Sequence, residues 1–592
     1  MPEGGDGLWV ASNGGVLRAP LAAPNLQTPG AWTREAFDGP GFSLAVFDGD
    51  LYLGGGANGS RDLYRRDGAG GWERQLFIDN EIGTLVPAGS VLYGASPLDA
   101  YVIRPEGQPA TIFRSPDALA MRGVAVGPDG RAWAVDAASG LFRLPESTAS
   151  GIVQVDVTTV APPGPLSNSI VDLDVDADGV VWTMSDRLES AAYAAVSRLS
   201  DGVWISFRTD DPTLDIAGSS FRGGSVSPDG VLFAGTDGGG VSVFTGDDVT
   251  AYDETNSTLA APNGIPGYVV VLDAAFEDDL AWVLNVSSLP LQSFDGQTWR
   301  GLPYPAGIPS SVTPFRIAID DFGQKWLALH REGLAVWSTG ADPFVASDDQ
   351  GLRFVGSARD GLGLPNDDVR DVVVDRDGRV WIGTGRGLAY VFSPGSAFAG
   401  SADLATPQWP ILADGSDWLL RDVEVNDLEV DPAGQIWVGT SSGAYLVAAT
   451  GDGVVRTVTA DTSPLPSDGV KAVSVDPSTG RVYFVTDEGL FSAPGDATRP
   501  TGGSDALVTS PSPYRPSASG EGVVVSGLGS PQSQVRVMTA AGDVVYVAEV
   551  RGGSFRWNGR DQSGLPVPSG VYLVAASGAD GVTRFGKVAV LR

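Results

Sequence analysis

The sequence predicts an all-β protein: β-propellers followed by a small immunoglobulin-like β-sandwich. Three observations favour this fold class. An aromatic residue recurs behind a turn from Trp9 to Tyr483, no segment has helical periodicity, and short alternating strands of a different pattern follow at the C-terminus. Glycine (80) and proline (41) make up about a fifth of the 592 residues, which suits many short strands joined by tight turns.

The repeat is clearest at residues 369–390 and 425–445. Each copy consists of a strand, an Asp/Gly turn, a strand that ends in Gly-Thr, a second Gly turn and a third strand. Valine and isoleucine alternate with polar residues, which predicts half-buried strands. The Asp-x-Asp-Gly segment predicts a hairpin turn. We expect the aromatic residue behind that turn to fill the space between neighbouring sheets.

Eleven copies of this aromatic position can be followed, at spacings of 40 to 56 residues. A period of this length with three or four short strands per copy indicates propeller blades. The positions are Trp9, Tyr52, Tyr93, Trp133, Trp182, Phe233, Trp282, Trp326, Trp381, Trp437 and Tyr483. The eight from Trp133 onward are the predicted blade-core aromatics.

Eleven blades do not divide into closed rings of seven. Taken in order, residues 166–497 hold seven blades and predict one complete seven-bladed propeller. Residues 1–165 hold the four remaining blades of a first, N-terminally truncated propeller. An open fragment exposes strand edges, so we expect a longer natural protein that begins with a signal peptide. Two interleaved rings, or fewer and larger rings, remain alternatives.

The C-terminal part follows a different pattern. Residues 498–510 are rich in Pro, Gly, Ser and Thr and predict a linker. Residues 511–592 hold about seven short strands, which predicts a small β-sandwich. The Ser-Gly-Val-Tyr turn and the closing strand resemble a FlgD-like immunoglobulin domain and the C-terminal sorting domain of type IX secretion cargo. The matching residues are Gly570, Val571, Tyr572, Gly586 and Lys587.

Composition excludes several function classes. The formal net charge of −34 argues against a nucleic-acid partner, because phosphate binding needs clustered cations. Cysteine is absent and His330 is the single histidine, which argues against thiolate and imidazole metal sites and against a Ser-His-Asp triad. No run of 18 apolar residues predicts a transmembrane segment. We therefore expect no catalytic residue, no metal and no cofactor.

Four weaker signals each have an ordinary structural interpretation. Residues 174–179 match the start of a calcium-binding loop, but the twelfth position is Ser185, and a hairpin turn is favoured. His330 follows a strand and is interpreted as a blade-edge or surface residue. Two carboxylate clusters and two arginine groups are interpreted as solvated surface. They are Glu277, Asp278 and Asp279; Asp210, Asp211 and Asp215; Arg61, Arg65 and Arg66; and Arg376, Arg379 and Arg386.

The repeat resembles the two-component regulator propeller family. Two propellers followed by the C-terminal domain resemble PorZ-like proteins of the type IX secretion system, and residues 7–33 are similar to a mid-chain segment of that family. The resemblance implies a non-enzymatic cell-surface component associated with the outer membrane. It also implies a sortase-like protease and outer-membrane barrel proteins as partners, and the handling of a lipopolysaccharide-type anchor.

Three other classes of protein share some of these sequence features. A ligand-sensing propeller of a two-component receptor has similar repeats, but a sorting-like domain follows them here. A generic secreted cargo protein would carry the same C-terminal domain without joining the secretion machinery. A propeller lyase or glycosidase is disfavoured by the near absence of histidine.

Overall fold

The structure is a computed structural model that consists of two compact units, residues 1–164 and 165–592. It confirms the predicted all-β fold class. It describes residues 7–22, 25–57, 60–76, 81–104, 111–114, 121–127, 130–136, 140–144, 151–154, 164–186, 193–262, 265–340, 342, 344–356, 362–399, 405–500, 506–516, 522–578 and 581–592.

The first unit contains four small sheets. Their strands follow one another in the chain, except that β15 returns to pair in parallel with β11. The sheets are β1 (Gly7–Ser12), β2 (Gly15–Pro20) and β3 (Thr33–Arg34); β4 (Gly41–Phe47), β5 (Asp50–Ala57), β6 (Ser60–Arg66) and β7 (Trp72–Leu76); β8 (Thr84–Ala88), β9 (Val91–Ala95), β10 (Asp99–Ile103), β11 (Thr111–Arg114) and β15 (Gly151–Gln154); and β12 (Met121–Val126), β13 (Ala132–Asp136) and β14 (Gly140–Arg143).

The second unit begins with seven antiparallel sheets, here called ring sheets 1 to 7. Strands β21 and β24 also pair over two residues, which links ring sheets 2 and 3. The strands of ring sheets 1 to 4 are β16 (Ile170–Val175), β17 (Val181–Ser185), β18 (Ala195–Ser200) and β19 (Val203–Arg208); β20 (Phe221–Val226), β21 (Val231–Gly238), β22 (Val241–Thr245) and β23 (Asp248–Tyr252); β24 (Val269–Glu277), β25 (Leu280–Asn285), β26 (Leu291–Phe294) and β27 (Trp299–Leu302); and β28 (Pro314–Ile319), β29 (Lys325–Leu329), β30 (Gly333–Ser338) and β31 (Gln350–Phe354).

Ring sheets 5 and 7 have three strands each, and ring sheet 6 has four. The one-turn 3-10 helices Pro29–Ala31, Ala346–Asp348 and Pro394–Ser396 lie in connections. The strands of ring sheets 5 to 7 are β32 (Val369–Val374), β33 (Val380–Thr384) and β34 (Gly387–Val391); β35 (Val425–Val430), β36 (Ile436–Thr440), β37 (Gly443–Val447) and β38 (Val454–Val458); and β39 (Val470–Val475), β40 (Arg481–Thr486) and β41 (Gly489–Pro494).

In ring sheets 1, 4, 5, 6 and 7 an aspartate side chain builds the turn between the first two strands. In ring sheet 5, one carboxylate oxygen of Asp375 accepts hydrogen bonds from the backbone N–H groups of Asp377 and Arg379, both at 2.9 Å. Gly378 has a φ of 78°, a conformation that glycine adopts without steric cost. The other oxygen of Asp375 accepts a hydrogen bond from the indole Nε1 of Trp381 at 2.7 Å. The turn and the aromatic residue are therefore positioned by one aspartate.

The ring closes by packing of one sheet on another. Each innermost strand lies against the innermost strand of the next sheet, and β39 of ring sheet 7 lies against β16 of ring sheet 1. No strand is shared between these two sheets. Instead, Ile170, Leu173 and Val181 of ring sheet 1 form one buried cluster with Ala472 and Val485 of ring sheet 7. Hydrophobic burial at this seam therefore keeps the ring closed.

The aromatic residues behind the turns lie between ring sheets. Each one belongs to a cluster that joins its own sheet to the next, and Tyr483 takes this place at the closing seam. In the first unit Trp133 lies half-buried on β13. The seven aromatic residues of the ring, all at most 8% exposed, are Trp182, Phe233, Trp282, Trp326, Trp381, Trp437 and Tyr483.

The C-terminal domain is a sandwich of two sheets with one buried core. The three-stranded sheet has the order β42-β43-β46, and the four-stranded sheet has the order β45-β44-β47-β48. The strands are β42 (Val508–Ser510), β43 (Val523–Ser526), β44 (Gln532–Thr539), β45 (Val544–Arg551), β46 (Ser554–Trp557), β47 (Gly570–Gly578) and β48 (Thr583–Val590).

The start of the predicted linker is held on both sides. The N–H of Arg499 donates to the carbonyl of Pro477 in ring sheet 7 at 2.7 Å, and the N–H of Gly553 in the sandwich donates to the carbonyl of Thr498 at 2.5 Å. Arg551 then forms an ion pair with Asp377 in the turn of ring sheet 5 at 2.9 Å. The sandwich is therefore seated on the turns that precede the second strands. Within the described ranges, no helix is long and apolar enough to span a membrane.

Replacement of Leu173 by alanine tests the closing seam. Leu173 is 5% exposed and packs between ring sheets 1 and 7. These two sheets share no strand, so backbone hydrogen bonds between them cannot compensate for the packing contacts that the substitution removes. We expect the substitution to lower the free energy of unfolding by about 2–5 kcal/mol in denaturant titrations. The control Val455→Ala, at a side chain that is 56% exposed, should change it by less than about 0.5 kcal/mol. Equal effects of the two substitutions would contradict the role of the seam.

Candidate functional site

The innermost strands of the ring carry a layer of charged side chains at one equivalent position. In each innermost strand, this residue lies two positions after the first residue that pairs with the second strand. Every ring sheet has a β-bulge between these two residues. From ring sheet 1 to ring sheet 7 the residues are Asp172, Gly223, Asp273, Arg316, Asp371, Asp427 and Ala472. Four carboxylates and one guanidinium thus face the axis of the ring.

Arg316 reaches across the ring. Its Nη1 lies 2.7 Å from Oδ2 of Asp172, three sheets away, and 3.6 Å from Oδ1 of Asp273. Gly223 provides the necessary room, since a Cβ atom there would lie 2.7 Å from Nη1 of Arg316 and 2.6 Å from the carbonyl oxygen of Leu272. The glycine is therefore required by the close approach of the guanidinium.

The four aspartates also link each sheet to another by accepting backbone N–H groups. Asp371 accepts from Leu428 at 2.7 Å, and Asp427 accepts from Val473 at 2.6 Å. In the same way Asp273 accepts from Ile317 at 2.9 Å, and Asp172 accepts from Gly224 at 3.3 Å. A buried N–H group needs such a partner. The carboxylates are thus engaged in holding the ring together.

Burial sets the acidity of this layer. Burial raises the pKa of Asp273 to about 7, although the nearby Arg316 opposes the change. Burial also raises the pKa of Asp371 to about 6, and burial together with the charge of Asp371 raises the pKa of Asp427 well above its usual value. Desolvation disfavours the charged form, and one guanidinium cannot neutralise four carboxylates. Part of the layer is therefore protonated near neutral pH.

A second feature of ring sheet 5 is a cleft of about 210 Å³. The turn before β33 contacts the sandwich, and the cleft lies at the opposite end of that strand. The chain after β34 supplies much of its wall, because Gln408 pairs with Tyr390 where a fourth strand of ring sheet 5 would lie. The cleft is lined by Pro365, Arg386, Gly387, Leu388, Trp409, Trp418, Leu419, Arg421 and Asp422.

Aromatic rings and cations meet in this cleft. The rings of Trp409 and Trp418 pack edge to face with centroids 4.9 Å apart, and the guanidinium of Arg421 lies 5.0 Å from the centroid of Trp418. Arg386 forms an ion pair with Asp422 at 2.6 Å. Tryptophan and arginine side chains in one concave surface suit a ligand with both a ring face and an anionic group.

The cleft also contains an unusual backbone. Leu420 and Asp422, on either side of Arg421, have φ values of 50° and 58°. Residues other than glycine adopt this left-handed conformation at a cost, and such residues concentrate at functional sites. This strain supports the cleft as the candidate binding site.

The predicted sorting motif lies on two paired strands of the sandwich, with its side chains on opposite faces. Tyr572 is buried and donates its hydroxyl hydrogen to the carbonyl of Pro568 at 2.9 Å, whereas Val571 and Lys587 are exposed. Gly570 begins β47, and a Cβ atom at Gly586 would lie 2.9 Å from Cβ of Leu507. The motif thus contributes both to the core and to the surface of the domain.

The calcium-like segment folds as a hairpin turn. One oxygen of Asp176 accepts the backbone N–H groups of Asp178 and Val180, both at 2.9 Å. No group of three or more Asp, Glu or His side chains within metal-binding reach occurs in the described part of the chain.

Neither predicted arginine group is gathered into one site. Arg379 and Arg386 lie before and after β33, at opposite ends of that strand. Arg61, Arg65 and Arg66 form ion pairs with different acids, Arg61 with Glu81, Arg65 with Asp50 and Glu73, and Arg66 with Glu35.

The single histidine and the carboxylate clusters have structural surroundings. His330 is exposed, with its ring 6.0 Å from that of Phe315. Glu277 accepts hydrogen bonds from Trp282 and from the buried Lys325, and Asp210 pairs with Arg208. The axial carboxylates and the two cleft tryptophans were not predicted as site residues. The Val-x-Asp pattern at the start of the repeat is the signal that could have indicated the axial layer.

The axial layer predicts a pH dependence of stability. A folded-state pKa above the unfolded value of about 4 contributes stability that is present at low pH and lost as the pH rises through the folded pKa. We expect the melting temperature to fall by a few degrees between pH 5 and pH 8. The variant Asp273→Asn should reduce this slope, whereas Asp278→Asn on the surface should not. A melting temperature that rises over this range would contradict the assignment.

Comparisons with known proteins agree with the fold. The two-component regulator propeller family model matches residues 363–386, which include part of the cleft. No curated protein matches the chain. Among solved structures, the extracellular domain of the putative hybrid two-component system BT3049 from B. thetaiotaomicron is similar, with 13% identity over 99% of this chain and 76% of that chain and a TM-score of 0.40.

A second solved structure is PorZ of Porphyromonas gingivalis, described as an essential bacterial surface component of the type IX secretion system. It has 23% identity over 100% of this chain and 80% of that chain, with a TM-score of 0.66. The two-component regulator propeller repeats and the similarity to PorZ that the sequence indicates are therefore confirmed at the level of the fold. The chain has the propeller-and-sandwich fold that PorZ also has.

Proposed function

We propose that this protein is a non-enzymatic cell-surface component of a type IX secretion and attachment machinery. The observation that carries the proposal is the similarity of fold to PorZ over the whole of this chain. In this proposal the protein is associated with the outer membrane and scaffolds a sortase complex. Its partners are a sortase-like protease and outer-membrane barrel proteins.

In this proposal each domain has its own role. Residues 1–165 and 166–497 are the propeller parts, and residues 511–592 are a FlgD-like sorting domain. Residues 498–510, the last three of which form β42 of the sandwich, connect the propeller parts to that domain. The ring offers large rigid surfaces, and its axial carboxylates are already bonded to backbone N–H groups. A scaffold needs such surfaces and no reactive group.

A lipopolysaccharide-type anchor is the proposed ligand of the cleft. Sugar rings pack on tryptophan, and phosphate or carboxylate groups pair with guanidinium groups. The cleft offers both, in Trp418 and in Arg386 and Arg421. The alternative function, a secreted or periplasmic ligand-sensing propeller, is supported by the family model match at residues 363–386, because the same cleft would then hold the sensed ligand.

Affinity purification of the tagged full-length protein from native membranes tests the scaffold function. We expect a sortase-like protease and outer-membrane barrel proteins to co-purify, as identified by mass spectrometry. An untagged strain serves as the control. Recovery of the protein alone and mainly from the medium would contradict the proposal and indicate a cargo protein.

Binding of purified lipopolysaccharide with an anionic sugar chain tests the cleft. Loss of a charge-assisted hydrogen bond costs about 1.5–3 kcal/mol, so Arg421→Ala should weaken binding at least about tenfold. Trp418→Ala should have a similar effect. The matched control is Arg481→Ala on ring sheet 7, which should bind like the unchanged protein. Unchanged binding by both cleft variants would remove the cleft from the proposal.

A further inference from the structure

Part of the outer face of the four-stranded sheet of the sandwich is apolar and exposed, beside a polar row of Gln534, Glu549, Ser577 and Thr583. Phe585 is 59% exposed, Val571 49%, Leu573 40% and Val547 37%. On the other side of the same strands, residues such as Val535, Val574 and Val588 are fully buried and form the core. The strands are thus hydrophobic on both faces, although only one face is covered within this domain. Antiparallel sheets with one solvated face usually alternate hydrophobic and polar residues.

The strand register collects these side chains into two adjacent rows. Val547, Arg536, Ala575 and Phe585 lie opposite one another across all four strands. Met538, Leu573 and Lys587 form the next row. Directly opposed residues lie on the same face of a sheet, so the rows form one continuous surface. We call this surface, made of these seven residues and Val571, the outer sheet face.

Two cations lie within the outer sheet face. Among the described residues, neither Arg536 nor Lys587 forms an ion pair with a carboxylate, whereas the other two lysines, Lys325 and Lys471, do. Residues 511–592 contain 8 Lys or Arg and 5 Asp or Glu, a net charge of 8 − 5 = +3. The remaining residues therefore carry −34 − 3 = −37. The C-terminal domain is the basic part of an acidic chain.

These observations indicate the chemistry of the partner. Arg536 donates a hydrogen bond to the neutral side chain of Gln534 at 2.6 Å, and Lys587 lies on the edge strand β48. An exposed apolar surface that carries these two cations is complementary to an apolar surface that carries carboxylates. A second copy of the same face is disfavoured, because a symmetric pair would place Arg536 and Lys587 of both copies against one another. A flat sheet face also packs well on another sheet, at about 10 Å.

We propose that the outer sheet face is the docking surface for a protein partner with an aliphatic, carboxylate-bearing surface, and that the secretion machinery reads the C-terminal domain through it. This inference rests on the proposed function and names the surface through which the secretion machinery recognises the C-terminal domain. Arg551, at the end of β45, contacts Asp377 of the ring. With the sandwich seated in this way, Phe585, Val571 and Leu573 are still 40–59% exposed, so the outer sheet face is available.

Charge and polarity reversals on the full-length protein test the proposal. The variants are Leu573→Glu, Phe585→Glu and Lys587→Glu, all at exposed side chains, so folding should be unchanged as measured by circular dichroism and melting temperature. We expect each to reduce the amount of protein on the cell surface, and its co-purification with barrel proteins, at least about fivefold. The matched control is Val455→Glu, at a 56% exposed side chain on β38 of ring sheet 6, outside the sandwich, which should behave like the unchanged protein.

The outcomes separate the two proposals. A chain that lacks residues 511–592 and still reaches the surface would refute the proposed function. If that chain is retained inside the cell but the three variants reach the surface like the control, the docking role of the outer sheet face is refuted. The proposed function is then not contradicted. A dimer in sedimentation experiments that Leu573→Glu dissociates would identify a second copy as the occupant and overturn the proposal of a different protein partner. Binding to anionic phospholipid vesicles that Leu573→Glu abolishes would overturn it as well.

Discussion

Sheet-on-sheet packing around a closed circle is the constraint on which the ring depends. A sheet of three or four short strands cannot bury both of its faces by itself. Each ring sheet therefore uses an aromatic residue to fill the space toward the next sheet, and Tyr483 does so at the seam where the chain ends meet. Because no strand is shared there, the seam depends on hydrophobic packing.

The axial layer has an electrostatic cost that the closed ring must offset. Four carboxylates and one guanidinium are enclosed where solvation is poor, and a buried carboxylate without partners would be strongly destabilising. Hydrogen bonds from the backbone of other sheets, the contact of Arg316 with Asp172, and protonation of part of the layer reduce this cost. The same groups that join the sheets thus make the stability of the ring depend on pH.

The two ends of the ring sheets have separate roles in this chain. The turn of ring sheet 5 that contains Asp377 contacts the sandwich, and the opposite end of the same sheet contributes Arg386 to the tryptophan cleft. The sandwich in turn contacts the ring on one side and leaves the outer sheet face exposed. This arrangement leaves the cleft and the outer sheet face accessible at the same time.

Much of the fold follows from local patterns, because turns and strands are short-range structures. The Asp-x-Asp-Gly turns, the strand alternation and the aromatic after each turn are visible in residues such as Asp375, Gly378 and Trp381. Tertiary structure alone decides which sheets meet, and hence that Arg316 reaches Asp172 across three sheets, a contact between residues 144 positions apart.

The cleft and the outer sheet face have the same origin. Trp409 and Trp418 belong to a segment without repeat pattern, and only the pairing of Gln408 with Tyr390 places it beside Arg386. Val571 and Phe585 read as ordinary strand residues, since a single strand does not reveal which of its faces another sheet covers. The sequence by itself determined the repeated unit and its count. The closed ring, the axial charge layer and the exposed surfaces were decided by tertiary packing, because they depend on contacts between residues far apart in the chain.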